Sequence, residues 1–342
     1  MSASHSGRAS DLAERLRRDF IIGGAPAPIR TLARGSDARA VLPAVIAIGA
    51  FDGLHRGHGF LIDRAVADAR ARGIAAVAVT FDPDPDAVVA PRPAPKLLTT
   101  TDRLRALALS GVDAVVVVPF TRELASLGHA EFFDDVLARA LDVRSIHVGA
   151  DFRLGSSGAS TVDVIRSWGA ARGVDVFGHD LVREGAGAIT ATRIRGLIGA
   201  GELEAARELL GRGYYVRGCV VRGRGEGTGM GFPTANVARS RMMQMPPDGV
   251  YEAWALTDAG EAWPAAVNVG LPPMFSDDPS SSSLEATLLG FAGNLYGQGL
   301  AVLFERRLRP SVGFGSRDEL IAAVTADIEG VRERFGDRPV AL

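Results

Sequence analysis

A single cysteine, Cys219, leaves the chain no internal disulfide and excludes every cysteine-cluster metal site. Basic residues are in no excess: 38 Lys and Arg face 40 Asp and Glu, a formal net charge of -2, which argues against nucleic acid as the principal partner. Aromatic residues are scarce, with 15 Phe, 4 Tyr and 3 Trp, too few for stacking platforms or aromatic cages. No apolar run approaches the length that spans a bilayer, and residues 11–18 are heavily charged where a secretion signal would be apolar. A reducing, cytoplasmic setting without a membrane partner fits these absences. What is abundant is glycine, 41 residues, suited to tight turns and to backbone that approaches small phosphorylated ligands closely.

The chain's 342 residues are about two to three times the usual single-domain length, so two domains are expected. Residues 1–40 read as a leader packed loosely on the first domain. From residue 41 onward, short apolar runs at 45–48, 75–81, 114–118, 145–148 and about 174–178 alternate with helical patterns at 57–72, 101–109, 130–141 and 162–172. That alternation predicts parallel β-α-β units and a doubly wound α/β sheet over residues 41–198. A linker is expected over 199–212. Beyond it, short strands at 215–222, 249–256, 265–269, 284–289 and 300–308, broken by Gly, Pro and Ser, predict a small antiparallel β-barrel closed by a C-terminal helix at 317–335, within a domain spanning 213–342. Cys219 falls in the first of these strands and reads as a small buried hydrophobe.

The most informative segment is Gly49-Ala50-Phe51-Asp52-Gly53-Leu54-His55-Arg56-Gly57-His58, between the first strand and the first helix. In a doubly wound sheet, ligands bind at the carboxyl ends of strands and the positive ends of helices. Glycines there admit a phosphate, and His55 and His58, three apart, can point the same way to stabilise charge growing on an α-phosphoryl group. The plainer alternative is a pair of histidines that only cap the helix. Further on, Thr192 at a helix start offers a hydroxyl and an N–H to a phosphate, with Arg195 one turn later and Arg193 beside it, although a capped helix with solvated arginines would read the same way.

In the second half, alternate glycines run from Gly223 to Gly231, ahead of Phe232-Pro233-Thr234-Ala235-Asn236. Such a flap can wrap phosphates through Gly225, Gly227 and Gly231, and Thr234 and Asn236, two apart on an extended segment, offer oxygen ligands to Mg²⁺. A glycine-rich hairpin is the alternative.

The histidine-bearing segment resembles the HxGH signature of the nucleotidyltransferase superfamily, and in its fuller form the adenylyltransferase module of the prokaryotic bifunctional riboflavin kinase/FAD synthetase family. Thr80-Phe81-Asp82-Pro83-Asp84-Pro85, Val148-Gly149-Ala150-Asp151-Phe152-Arg153-Leu154-Gly155 and Thr190-Ala191-Thr192-Arg193-Ile194-Arg195 come in the family's order, and Phe-Pro-Thr-Ala-Asn resembles its kinase fingerprint. The resemblance extends over about residues 41–335. It implies that ATP and Mg²⁺ are used to convert riboflavin to FMN in the barrel and FMN to FAD, with release of pyrophosphate, in the first domain. His55, His58 and Arg195 would be catalytic there, Gly49, Phe51, Thr192 and Arg193 would bind nucleotide, and Asp151, Phe152 and Arg153 would meet the flavin. In the barrel the implied base is Glu285, which would accept the proton of the ribityl 5′-hydroxyl. For Asp151 to Arg153 a strand-to-loop turn with a surface salt bridge is the rival reading, and for Glu285 an outward-facing charge on an alternating strand.

Departures from the pattern keep other functions in view. Asp84 stands where the family usually has histidine, and would put negative charge near a triphosphate. Glu226 and Thr228 replace expected basic residues, and Ser156-Ser157-Gly158 lacks another. Pro272-Pro273-Met274-Phe275 stands for Arg-Pro-Thr-Phe, while Thr287 and Gly290 replace His and Asp beside Glu285. The alternatives are a chain with only one active half, one that takes an altered flavin-like substrate, or a flavin-binding protein without turnover.

Overall fold

A computed structural model describes residues 3–32, 41–185, 187–223, 232–270 and 284–342. The chain forms two compact units, Gly24–Arg193 and the combination of Met1–Gly23 with Ile194–Leu342. The chain opens with helix α1 (Ala3–Asp19).

The first unit is built on six parallel strands, β1 (Ile29–Thr31), β2 (Leu42–Ile48), β3 (Ala75–Asp82), β4 (Ala114–Pro119), β5 (Leu141–Gly149) and β6 (Asp175–His179), in the spatial order β1-β4-β3-β2-β5-β6. Helices α2 (Arg56–Arg72), α3 (Thr100–Ala108) and α4 (Val162–Ala170) belong to it. Successive strand residues point to opposite faces, so each apolar run feeds two cores. Val45, Ala47, Ala76, Ala78, Val115 and Val117 pack with Leu61, Ile62 and Ala65 of α2 and Leu107 and Ala108 of α3. On the other face Ile46, Ile48, Val77, Val79, Val116, Val118, Ile146 and Val148 pack with Phe132, Phe133 and Trp168. This is the doubly wound sheet read from the sequence. The chain order reverses between β2 and β5, which makes a crevice at their carboxyl ends the expected ligand site.

One expectation is refined and one corrected in this unit. The helix expected over 130–141 is an unbroken but irregular helical run over 129–139, with one α turn His129–Glu131, a wider turn Phe132–Val136 and a tighter turn Leu137–Arg139. Its Phe132-Phe133 pair is buried among Phe81, Leu127 and Trp168. Residues 29–31, set aside in the leader, are instead the edge strand β1 paired with β4.

Helix α5 (Ala191–Ala200) starts in the first unit and continues in the second, which also holds α6 (Leu203–Leu210). The strands are β7 (Tyr214–Val221), β8 (Ala235–Arg239), β9 (Gly249–Thr257), β10 (Glu261–Val269), β11 (Leu284–Leu288), β12 (Gly299–Pro310) and β13 (Val340–Ala341), and helix α7 (Arg317–Phe335) lies near the end. They order β9-β12-β7-β8-β11-β10-β13, and pairing of β9 with β10 closes six of them into an antiparallel barrel. The paired rows Ala235–Ala286–Val267 and Leu284–Val269 face its interior, while Ala266 and Leu289 on the outer side are covered by Ile328 and Val331 of α7.

Helix α1, also set aside in the leader, is tied to this unit, not to the sheet. Leu16 and Phe20, four apart on and just past α1, are fully buried, and Phe20 meets Tyr215 at 5.7 Å between ring centroids. The Asp19 carboxylate accepts the Gly213 backbone N–H at 2.9 Å. Arg15 and Arg207 both bond Glu305 at 2.7 Å. Cys219 is exposed, since its strand turns Val216 and Val220 inward and leaves position 219 on the outer face.

Candidate active sites

At the reversal point of the sheet lies a cavity of about 240 Å³. Ile48 ends β2 with Gly49 and Phe51 just after it, Gly149 ends β5 with Asp151 and Phe152 after it, His179 ends β6 with Asp180 next, and Thr190 and Ala191 stand at the start of α5. His55 and His58 complete the wall.

The loop after β2 is fixed from behind. Phe51 is buried in a left-handed conformation at φ 55°, packed edge-on to His58 at 5.3 Å. Asp52 is buried and accepts the backbone N–H groups of Leu97 at 2.9 Å and Leu98 at 3.4 Å. Gly53, at φ 77°, takes a backbone conformation that favours glycine, and a Cβ there would stand 2.7 Å from Leu97. Arg103, only 2% exposed, donates to the carbonyls of Ala50 at 2.5 Å and Phe81 at 2.8 Å and to the Thr80 hydroxyl at 3.0 Å. Loop and strand end are thus held by one buried guanidinium.

His55 precedes α2 and caps it: its Nδ1 accepts the His58 N–H at 3.3 Å. A neutral His55 therefore carries its proton on Nε2, which remains a donor. The two imidazoles stack, 3.7 Å between centroids and 14° between planes. Gly57 makes room for this, since a Cβ there would lie 3.1 Å from the His55 ring and 3.3 Å from the Ile189 carbonyl. Burial, with His55 alongside, holds the His58 pKa well below the ordinary histidine value, and its Nδ1 is buried without a hydrogen-bond partner. Capping and a pair aimed at a cavity are therefore one arrangement. A neutral His58 beside His55 at the positive end of a helix suits a group that brings negative charge.

The remaining expected residues separate. Asp151 and Phe152 line the cavity, and Phe152 also packs on the sheet core. Arg153 is exposed on a two-residue strand paired with Ser160-Thr161 and is not on the wall. Thr190, not Thr192, accepts the Arg193 N–H, at 3.2 Å, and lines the cavity. Thr192 is exposed in the first turn, and Arg195 lies nearly one turn beyond it. The Arg193 guanidinium bonds the carbonyls of Glu184, Gly187 and Ala188 at 2.9–3.3 Å, which ties down the turn between β6 and α5. Asp84, expected to put charge against a phosphate, is off the cavity wall, with Arg103 at 2.8 Å and Lys96 at 3.0 Å. Burial raises its pKa against the pull of those two cations. Sequence reasoning missed His179 and Asp180, because a lone His-Asp pair after a strand carries no spacing signal.

In the barrel the candidates lie side by side. Asn236 on β8 pairs with Glu285 on β11, and Glu285 pairs with Asn268 on β10, so the three side chains form one row on the outer face. All three are half-buried, as is Thr234. Asn268 was not singled out from the sequence, and its Nδ2 donates to the Gly270 carbonyl at 3.1 Å. The Asn236 amide packs against Gly223, where a Cβ would be 2.2 Å away. Gly290, where the family pattern has Asp, sits at φ 78° with the Asp337 carbonyl 2.0 Å from the place of a Cβ. No side chain fits there. Gly225, Gly227 and Gly231, with Glu226, Thr228 and Pro272 to Phe275, lie outside the described residues. Among the described residues, no group of three or more His, Cys, Asp or Glu could hold a metal ion, and no helix is long and apolar enough to cross a membrane.

Comparison with known proteins divides along the same lines. The FAD synthetase family model matches residues 38–193 and the riboflavin kinase model residues 210–335. The bifunctional riboflavin kinase/FMN adenylyltransferase of Pseudomonas fluorescens is 34% identical over 288 residues, 84% of this chain and 92% of the relative. Its counterpart in Escherichia coli K12 is 34% identical over 293 residues, covering 85% and 93%. A crystal structure from Streptococcus pneumoniae, described as a macrolide-efflux protein, superposes with a TM-score of 0.78 at 28% identity, covering 89% of this chain and 98% of that one.

Proposed function

The chain belongs to the bifunctional riboflavin kinase/FMN adenylyltransferase family, and from that premise we propose that both reactions run here, each on the residues found at its site. The barrel unit phosphorylates riboflavin to FMN, and the parallel-sheet unit joins FMN to the AMP moiety of ATP, giving FAD and pyrophosphate.

The observation that carries the adenylyl-transfer half is the stacked His55–His58 pair on the wall of the cavity at the sheet's reversal point. A phosphate oxygen of FMN attacks the α-phosphorus of ATP in line, the bond to pyrophosphate breaks, and no covalent enzyme intermediate is needed. The His55 Nε2–H donates to an α-phosphoryl oxygen as charge grows there. His58, neutral before substrate binds, gains proton affinity from the incoming polyphosphate and strengthens its own bond in the transition state. Backbone N–H groups of the first turn of α5, beside Thr190, hold the leaving pyrophosphate, with Arg195 one turn on. Asp151 and Phe152 meet the flavin. Arg193 acts through the turn that it ties down, and Thr192 serves through its backbone.

In the barrel, Glu285 accepts the proton of the ribityl 5′-hydroxyl as that oxygen attacks the γ-phosphorus of ATP, the bond from that phosphorus to the β,γ-bridging oxygen breaks, and ADP leaves. Asn236 and Asn268 flank it on neighbouring strands and orient the reacting groups. The Thr234 hydroxyl and Asn236 carbonyl are hard oxygen donors, and with no acidic cluster among the described residues they fit Mg²⁺ delivered with the nucleotide rather than a resident ion. Bound there, Mg²⁺ would neutralise charge on the polyphosphate. The lone exposed cysteine fits a reducing cytoplasm.

The test is a timed chromatographic assay of the purified chain with riboflavin, ATP and Mg²⁺, beside a reaction started from FMN. FMN followed by FAD is expected in the first, and FAD in the second. Accumulation of FMN, with no FAD in either reaction, would overturn the adenylyl-transfer half.

A further inference from the structure

The cavity wall holds one side chain whose orientation is imposed from outside the cavity. His179, at the end of β6, lines it. Its Nε2 is 2.9 Å from Nδ1 of the buried His147, and His147 Nε2 is 3.1 Å from Asp68 Oδ2. The other Asp68 oxygen accepts from Arg72 Nε at 2.8 Å, and Arg72 also bonds Asp175 at 2.7 Å. The two imidazoles are stacked at 5.1 Å and 14°, and Phe60 stands edge-on to His179 at 6.0 Å.

The direction of every proton in this chain follows from its far end. Against the effect of burial, Arg72, Ser145 and His147 hold the Asp68 pKa down, so Asp68 is a carboxylate and only accepts. His147 must then carry a proton on Nε2. Burial lowers the pKa of both histidines, with a nearby arginine adding to it in each case, so each carries one proton at neutral pH. His147 Nδ1 is thereby an acceptor, His179 Nε2 the donor to it, and His179 Nδ1 an acceptor with no partner among the described residues. Without the chain, His179 would interchange tautomers and offer either a donor or an acceptor.

We propose that His179 is a substrate-binding residue, held by Arg72, Asp68 and His147 so that Nδ1 accepts a hydrogen bond from an N–H of the heterocycle bound in this cavity. Two substrates of the proposed reaction carry such a group, the exocyclic amine of adenine and the ring imide of the isoalloxazine. The proposal rests on the adenylyl-transfer reading. His147 and Asp68 are positioning residues, since they act on substrate only through His179.

The test uses the full chain with two probes that each remove one donor, ATP dimethylated on the exocyclic amine and FMN methylated on the imide nitrogen. Equilibrium binding is measured beside steady-state FAD formation. The wild type should bind one of the two analogues about tenfold more weakly than its parent, the loss expected for one hydrogen bond to a partly buried group, with the change carried by KM. The affected analogue identifies the heterocycle. In His179→Phe that penalty should fall below about twofold, and in His179→Asn, whose side-chain carbonyl can take the place of Nδ1, most of it should remain. In His147→Phe it should shrink while unmodified substrate still binds. Equal binding of parents and analogues by the wild type overturns the proposal without any variant, as does a full penalty retained in His179→Phe. Binding that discriminates while no FAD forms from FMN and ATP would instead sink the adenylyl-transfer reading and leave the acceptor role standing.

Discussion

The two units bring their reacting groups together by different means. In the parallel-sheet unit the site is a meeting of ends: the loop after β2, the segments after β5 and β6, and the start of α5 converge on one cavity, and none would hold its place without groups behind it. Arg103 and the backbone of Leu97 and Leu98 hold the loop after β2, and Asp68 with His147 holds His179, each from a position remote in sequence from the group it supports. In the barrel the row Asn236–Glu285–Asn268 is set by strand register alone, because residues paired across antiparallel strands share a face. The first site should therefore fail when a distant side chain is removed. The second should fail only when a member of the row is changed.

The largest test of that difference separates the two chemistries. His58→Ala should lower the rate of FAD formation from FMN by about 10²–10³-fold, the effect of losing a donor aimed at transition-state charge, while FMN formation from riboflavin stays within twofold. Glu285→Gln should do the reverse, lowering FMN formation by about 10²–10⁴-fold, as for loss of a general base, and sparing FAD formation from supplied FMN. Product chromatography of both variants reads both effects. If either substitution stops both reactions, the two sites do not operate independently.

Next in size is the support behind the β2 loop. Arg103→Met removes a guanidinium that is 2% exposed and leaves Asp84 buried beside a single cation, Lys96. Breaking such a buried pair costs about 3–5 kcal/mol. The variant should unfold its own unit early and lose adenylyl transfer although Arg103 is not on the cavity wall. Denaturant unfolding followed by Trp168, the tryptophan of this unit, checks it. A variant with unchanged stability would show that the loop is held by something else.

Asp84 sharpens the same point with a smaller effect. A carboxylate near a triphosphate would slow the reaction, and Asp84→Asn would then speed FAD formation about tenfold or more. The ion pairs with Arg103 and Lys96 offset its charge where it stands. Asp84→Asn is therefore expected to change kcat/KM less than about threefold. It should cost about 1–2 kcal/mol of stability, because Arg103 keeps its bonds to Ala50, Thr80 and Phe81. Steady-state kinetics beside a denaturant titration separates the two effects.

How much of this the sequence carried depends on the distance over which each interaction acts. The sheet, its two faces and the histidine pair were legible because continuous apolar runs between helical patterns and a strand-turn-helix motif are local patterns. The support network was not: His147 finds Asp68 across 79 positions and His179 across 32, and Arg103 reaches Ala50 across 53. The N-terminal helix was misassigned for the same reason, since Asp19 meets Gly213 across 194 positions. Thr190 and Thr192 each make a plausible cap in Thr-Ala-Thr, and only the backbone at the helix start decides between them. In the barrel, Glu285 could be named from its motif, but Asn268 required the register of β10 with β11, which no pattern within either strand specifies.

The mildest expected effect comes from histidine content. Of the six histidines, His55, His58, His129, His147 and His179 fall within Gly24–Arg193, and only His5 belongs to the other unit. Burial holds the pKa values of His58, His147 and His179 below the ordinary value near 6.5. Between 6.5 and those lowered values the unfolded chain binds protons that the folded unit refuses, so stability falls as pH falls, by about 1.4 kcal/mol for each unit of lowering. Above pH 7 all three are neutral in both states and contribute no slope. A variant carrying Trp254→Phe and Trp263→Phe, with Trp168 as its reporter, should therefore show a lower denaturation midpoint at pH 5.5 than at pH 7.5. A variant carrying Trp168→Phe, which reports the barrel unit through Trp254 and Trp263, should show a smaller change over the same interval. Saturating ATP should reduce the loss in the first unit, because a polyphosphate beside His58 raises its proton affinity again. Equal slopes in the two reporters would place the pH sensitivity outside the buried histidines.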